Sequence, residues 1–159
     1  MSEAISSQLQ LLVRNPVFLS TFTSWLTAQV IKALIDVVRR RTDTTRDLMV
    51  TVFWKTGGMP SSHSSMVTSL ALSTGLTYGF NTALFMFAFF YGGLVIRDAM
   101  GVRLAAGRQA QALNRLGREL QEREGIPFQP VREINGHTPA EVSVGALIGF
   151  FMAVAFRFL

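Results

Sequence analysis

A chain of 159 residues that is 49% hydrophobic, only 16% charged and of mean hydropathy +0.33 suits a single membrane-embedded domain over residues 1–159 and argues against a water-soluble one. Its net charge of +5 comes from 15 Lys+Arg, of which only Lys32 and Lys55 are lysines, so the planar guanidinium suited to phosphate and carboxylate supplies almost every cation. The absence of cysteine excludes disulfides, thiolate metal sites and a cysteine nucleophile.

The N-terminal stretch MSEAISSQLQ has neither a basic start nor a following small-residue cleavage site, so the first apolar run reads as a retained span. Four runs approach the about 20 residues that a spanning helix needs: 17–38, 64–80, 82–96 and 142–159. The second is rich in Ser, Thr, Ala and Gly, residues that let helices approach closely in lipid, which places it inside the bundle. The third contains ALFMFAFFYGG and suits a lipid-facing helix, and the two must be joined by a tight turn near Gly79-Phe80-Asn81. The expected fold is therefore all-α, an integral membrane helical bundle of about four transmembrane helices.

The charges orient it. Arg39, Arg40, Arg41, Arg46 and Lys55 lie between the first and second runs, and Arg103, Arg108, Arg115, Arg118, Arg123 and Arg132 between the third and fourth. The positive-inside rule puts both loops in the cytoplasm and both termini outside, as in a bacterial cytoplasmic membrane. Within the cytoplasmic loop 98–136, Leu104, Leu113, Leu116 and Leu120 recur at helical spacing among Arg and Gln, which predicts an amphipathic helix ended by Gly125-Ile126-Pro127. Packing on the bundle is the expected arrangement for it; a lid, a membrane-surface helix or a contact with a second copy in a homo-oligomer are the alternatives.

The polar residues fall at one end of this map. Lys32 and Asp36, four apart, share a face of the first run with Arg39. Ionisable groups at membrane depth are expensive and suggest function, although a Lys or Arg near a helix end can also snorkel. His63 begins the second run, Asp98 closes the third and His137 opens the fourth, and these are the chain's two histidines. Pro60-Ser61-Ser62 suits a helix start, and Thr138-Pro139-Ala140-Glu141 is a capping-box pattern in which Glu141 serves as the third residue. Two helix N-termini with Gly57 and Gly58 beside one of them, two imidazoles and several guanidiniums facing one volume make chemistry suited to a phosphate. A Ser62–His63 hydrolytic pair lacks the G-x-S-x-G elbow. A divalent cation held by His63, His137, Asp98 and Glu141 is the alternative chemistry; the phosphoryl reaction itself demands no metal and no cofactor.

The order K-x6-R from Lys32 to Arg39, PSSHS from Pro60 and GHTPAEV from Gly136 resembles the three signature motifs of the type 2 phosphatidic acid phosphatase and vanadium haloperoxidase superfamily. GGMPSSHS, DAMGVRLAAGRQAQALN and GHTPAEVSVG together look like its divergent, short membrane branch. The resemblance implies that His137 is a nucleophile forming a phosphohistidine, that Glu141 orients it, and that His63 protonates the leaving alkoxide. It further implies that Lys32 and Arg39 bind phosphoryl oxygens, with Gly58, Ser61 and Ser62 beside them. Arg40 stands where the family has a proline, Ser62 where it has a glycine, and the Ser-Arg of the third motif is absent, Arg132 lying only five residues before His137. Arg103, in GVR, is the candidate for the missing guanidinium, with Asp98, Asp36 and Arg132 as supporting residues. The implied activity is that of a lipid phosphate phosphatase acting on a phosphomonoester such as phosphatidylglycerophosphate or phosphatidate. A polyprenyl diphosphate phosphatase and a non-catalytic lipid-phosphate binder or carrier are the alternatives. No nucleic-acid module is present.

Overall fold

The computed structural model describes residues 2–38, 58–133 and 136–158, with side chains from residue 5 onward. Among the described residues six helices follow in chain order: α1 Ser2–Arg14, α2 Pro16–Val38, α3 Ser62–Tyr78, α4 Ala83–Met100, α5 Val102–Glu124 and α6 Pro139–Phe158. Helix α3 is the centre. It packs against α2, α4 and α6, while α2 also meets α6 and α4 barely does.

The packing follows from which residues tolerate lipid. Helix α2 buries Ser20, Ser24, Ala28, Lys32 and Asp36, a stripe at intervals of four, and turns Phe22, Leu26, Val30 and Leu34 outward. Helix α4 exposes Leu84, Phe87, Phe90 and Leu94 and buries only Ala88, Gly92 and Ala99. Large apolar side chains thus coat the molecule and small or polar ones fill its middle, the arrangement expected when lipid is the solvent. Two contacts show how close the backbones come. The Ser24 and Ser65 hydroxyls lie 2.6 Å apart, and each also donates to the other residue's carbonyl, at 3.0 and 3.1 Å. On the other side of α3, a Cβ at Gly145 or Gly149 of α6 would collide with the carbonyl of Ser61 or Ser65.

Among the described residues three helical stretches are long and apolar enough to cross a membrane: Pro16–Val38, the α4–α5 run Ala83–Glu124 and Pro139–Phe158. This is an integral membrane helical bundle, and the second of the four expected spans is of a different kind. Helix α3 has 17 residues, so it is about 25 Å long. It buries five serines, Ser62, Ser64, Ser65, Ser69 and Ser73, among its neighbours.

The expected turn between α3 and α4 is there: Gly79 has φ +102°, and the Thr82 hydroxyl accepts from the Phe85 N–H at 3.3 Å to start α4. Helix α5 runs as far as predicted and ends on Gly125 at φ +70°. Its expected packing on the bundle is not observed. Among the helices it touches only α4, and its inner face is covered instead by the segment that returns from it. There Phe128 fills the space left by Gly117, and the buried Asn114 side chain bonds both the N–H and the carbonyl of Val131, at 2.8 and 2.9 Å. Helix α1 has no counterpart in the apolar-run reading. It packs on α2 alone and leaves Ile5, Leu9, Leu12 and Val13 exposed on one side.

Candidate active site

The site lies where α3 and α6 begin. Thr138 caps α6, its hydroxyl accepting from the Glu141 N–H at 3.4 Å while Glu141 Oε2 accepts from the Thr138 N–H at 3.1 Å. The same Oε2 is 3.0 Å from His137 Nδ1. A carboxylate only accepts, so Nδ1 carries the proton and the lone pair of the imidazole sits on Nε2. Glu141 therefore fills both roles that the sequence allowed it, cap and orienter. The His137 ring is buried, and its backbone N–H donates to the Ala99 carbonyl at the end of α4, at 3.0 Å.

Helix α3 is joined to this start by its own first residues. Ser61 is fully buried, its hydroxyl accepts from the Ser64 N–H and the Ser64 hydroxyl at 3.3 and 2.9 Å, and its N–H donates to the Glu141 carbonyl at 3.0 Å. Ser61, expected among the phosphate ligands, spends its N–H on an interhelical bond and its acceptor lone pairs on a helix cap. Ser62 is buried beside it, and Gly58, at φ +84°, is exposed before it.

His63 follows in the first turn of α3. The titratable groups whose fields reach it are His137, Lys32 and Arg103, so α2, α3, α5 and the approach to α6 converge there. His63 also lines a cavity of about 350 Å³ with Asp98, Arg103, Met66, Tyr91, Leu94 and Val95. One wall is charged and the other is apolar, formed by residues of α3 and α4. Arg103 Nε donates to Asp98 Oδ2 at 2.6 Å. Lys32 and Asp36 are both buried on the inner face of α2. Arg132 is exposed in the returning segment. Arg39, Arg40 and Gly57 lie outside the described residues. No group of three or more His, Asp or Glu side chains among the described residues stands close enough to hold a metal ion, so His63, His137, Asp98 and Glu141 do not form a ligand set.

Two glycines of the quoted motifs, Gly136 and Gly101, stand in close contacts in this region. A Cβ at Gly136 would strike the backbone of Leu104, and one at Gly101 would come within 2.8 Å of the Arg97 carbonyl. Their signal in the sequence was a lone glycine at each end of the 98–136 loop.

A family described as the divergent PAP2 family matches residues 13–152. The chain belongs to that family. It is also 34% identical over 158 residues to YuiD, an uncharacterised membrane protein of Bacillus subtilis (strain 168), the match covering 92% of this chain and 97% of the relative. The match starts within α1 and ends within α6, so it takes in every residue of the candidate site. No solved structure matches.

Proposed function

We propose that the protein is a lipid phosphate phosphatase that hydrolyses a phosphomonoester through a phosphohistidine. The observation that carries this reading is the His137–Glu141 pair, 3.0 Å apart with the imidazole buried, set within electrostatic reach of His63, which Lys32 and Arg103 also reach. Family membership supports the reaction class, and the apolar wall of the His63 cavity supports a substrate whose leaving group is a lipid.

In the first step His137 Nε2 attacks phosphorus while the bond to the leaving alkoxide breaks. The His137 proton stays on Nδ1, hydrogen-bonded to Glu141, whose negative charge stabilises the cationic ring. His63, in its protonated form, gives its proton to the alkoxide and releases the lipid alcohol. Lys32 and Arg103, with Arg39, hold the equatorial oxygens, where charge develops. In the second step neutral His63 takes a proton from water, the oxygen attacks phosphorus, the P–N bond breaks and inorganic phosphate leaves. His137 returns to its starting tautomer and His63 to its protonated form. Each atom and proton is accounted for without a cofactor.

On the positive-inside argument the site faces the cytoplasm, so phosphatidylglycerophosphate and phosphatidate are the substrates we favour. Purified protein in detergent micelles should release phosphate from one of them, and acid quenching should trap a phosphoryl group that is lost in His137→Ala. A protein that binds these lipids yet releases no phosphate from either would be the binder or carrier instead.

A further inference from the structure

Asp98 and Arg103 are five residues apart, and the contact between them needs a broken helix. In an uninterrupted helix, positions i and i+5 project about 140° apart, and their side chains do not meet. Here the helix breaks at Gly101, where φ is −97° and ψ −90°, and Arg103 Nε reaches Asp98 Oδ2 at 2.6 Å. The break also frees the Ala99 carbonyl, which an unbroken helix would give to the Arg103 N–H and which accepts from the His137 N–H instead, at 3.0 Å. One kink therefore turns Arg103 toward the His63 cavity and also anchors the backbone of His137. Both side chains of the pair are about half exposed, 46% for Asp98 and 54% for Arg103. An ion pair so wet adds little to stability, so a structural purpose for it is weak.

We propose that Asp98 is a positioning residue for Arg103: by engaging Nε it fixes the guanidinium plane at the cavity mouth and leaves the two terminal amino groups to grip a phosphoryl group. Among the described residues Arg103 has no other hydrogen-bond or ion-pair partner, so without Asp98 nothing holds the plane. Asp98 thus acts on substrate only through Arg103, and its carboxylate does not meet the anion. This rests on the reading of the site as a phosphoryl site, and it can be tested without turnover.

The experiment measures binding of orthovanadate, a phosphoryl mimic, to the full-length protein in detergent micelles by calorimetry, beside steady-state hydrolysis of phosphatidate. Asp98→Asn should weaken vanadate binding and raise KM, each by about tenfold, with kcat changed less and the melting temperature unchanged. Asp98→Glu, which keeps the negative charge that Asn lacks, should recover most of the loss. In an Arg103→Ala background, Asp98→Asn should have no further effect. Wild-type affinity in Asp98→Asn would overturn the proposal, and so would an undiminished Asp98→Asn loss once Arg103 is gone. Should vanadate binding show the coupling while no phosphate is released from any lipid, the phosphatase reading falls and the role of Asp98 stands.

Discussion

The backbone N–H of Ser61 donates to the backbone carbonyl of Glu141 at 3.0 Å. This bond ties the first residue of α3's cap to the first turn of α6, and so fixes His63, two residues from Ser61, relative to His137, four residues from Glu141. The helix starts that carry the two imidazoles are thus tied by backbone, and the Glu141 side chain only sets the His137 ring, which is the condition under which a misplacement of one ångström is avoided.

The orienting role of Glu141 predicts a tautomer effect. Glu141→Gln leaves a group that can still cap α6 but no longer holds the Nδ1 proton against a negative charge. We expect kcat to fall on the order of 100-fold with KM little changed. Steady-state phosphate release together with a thermal melt checks it. A variant as active as the wild type would remove Glu141 from the mechanism.

His63 is assigned to proton transfer, so its importance should depend on the leaving group. For a lipid monoester, His63→Ala should lower kcat by about 10² to 10⁴. For an aryl phosphate, whose phenolate leaves without a proton, the first step should survive and phosphoenzyme should accumulate as a burst equal to the enzyme present. Equal loss on both substrates, with no burst, would show that His63 does something other than protonate the leaving group.

The seam between α3 and α6 predicts a stability effect confined to two glycines. Gly145→Ala and Gly149→Ala each press a methyl into a carbonyl of α3, a backbone atom that cannot rotate away. We expect destabilisation of about 1–3 kcal/mol from each, with loss of activity because the histidines ride on these helices. Gly93→Ala, whose Cβ meets nothing within 4 Å, is the control and should melt like the wild type. Thermal unfolding in detergent decides, and an unshifted Gly145→Ala would contradict the packing.

Topology is predicted by the arginine bias. In intact cells, a cysteine introduced at Gln8 should react with an impermeant maleimide and one at Arg108 should not, since the chain has no cysteine of its own. The reverse pattern would put the site on the outer face and with it a different pool of lipids.

Much of the bundle was legible because periodicity and composition speak locally. Lys32 and Asp36 share the inner face of α2 simply because they are four apart, and the histidines converge because each stands at the start of a helix whose beginning is written in Pro, Ser and Thr. What stayed hidden depends on residues far apart or on a break in the rule. Asn114 fills a place that only the returning Val131 defines. The Asp98–Arg103 contact is invisible to a search for pairs three or four apart, since it exists only through the kink at Gly101. Helix α1 was missed because Ile5, Leu9 and Leu12 form too short an apolar series to read as a span, although their spacing is helical. The glycines at 145 and 149 were in plain sight at a spacing of four, but glycine in an apolar helix does not say which neighbour it admits.

The serine-lined helix at the centre has a consequence for how the protein is made. Helix α3 lacks the run of large apolar residues that lets a segment leave the translocation machinery for lipid by itself, and Ser69 and Ser73 are buried with hydroxyls that find no hydrogen-bond partner. It can settle in the bilayer only as a passenger, held by α2 on one side and by α6 on the other. Since α6 follows it in the chain by some sixty residues, α3 must be sheltered until α6 emerges. The nascent protein thus cannot assemble the candidate site until α6 has been synthesised.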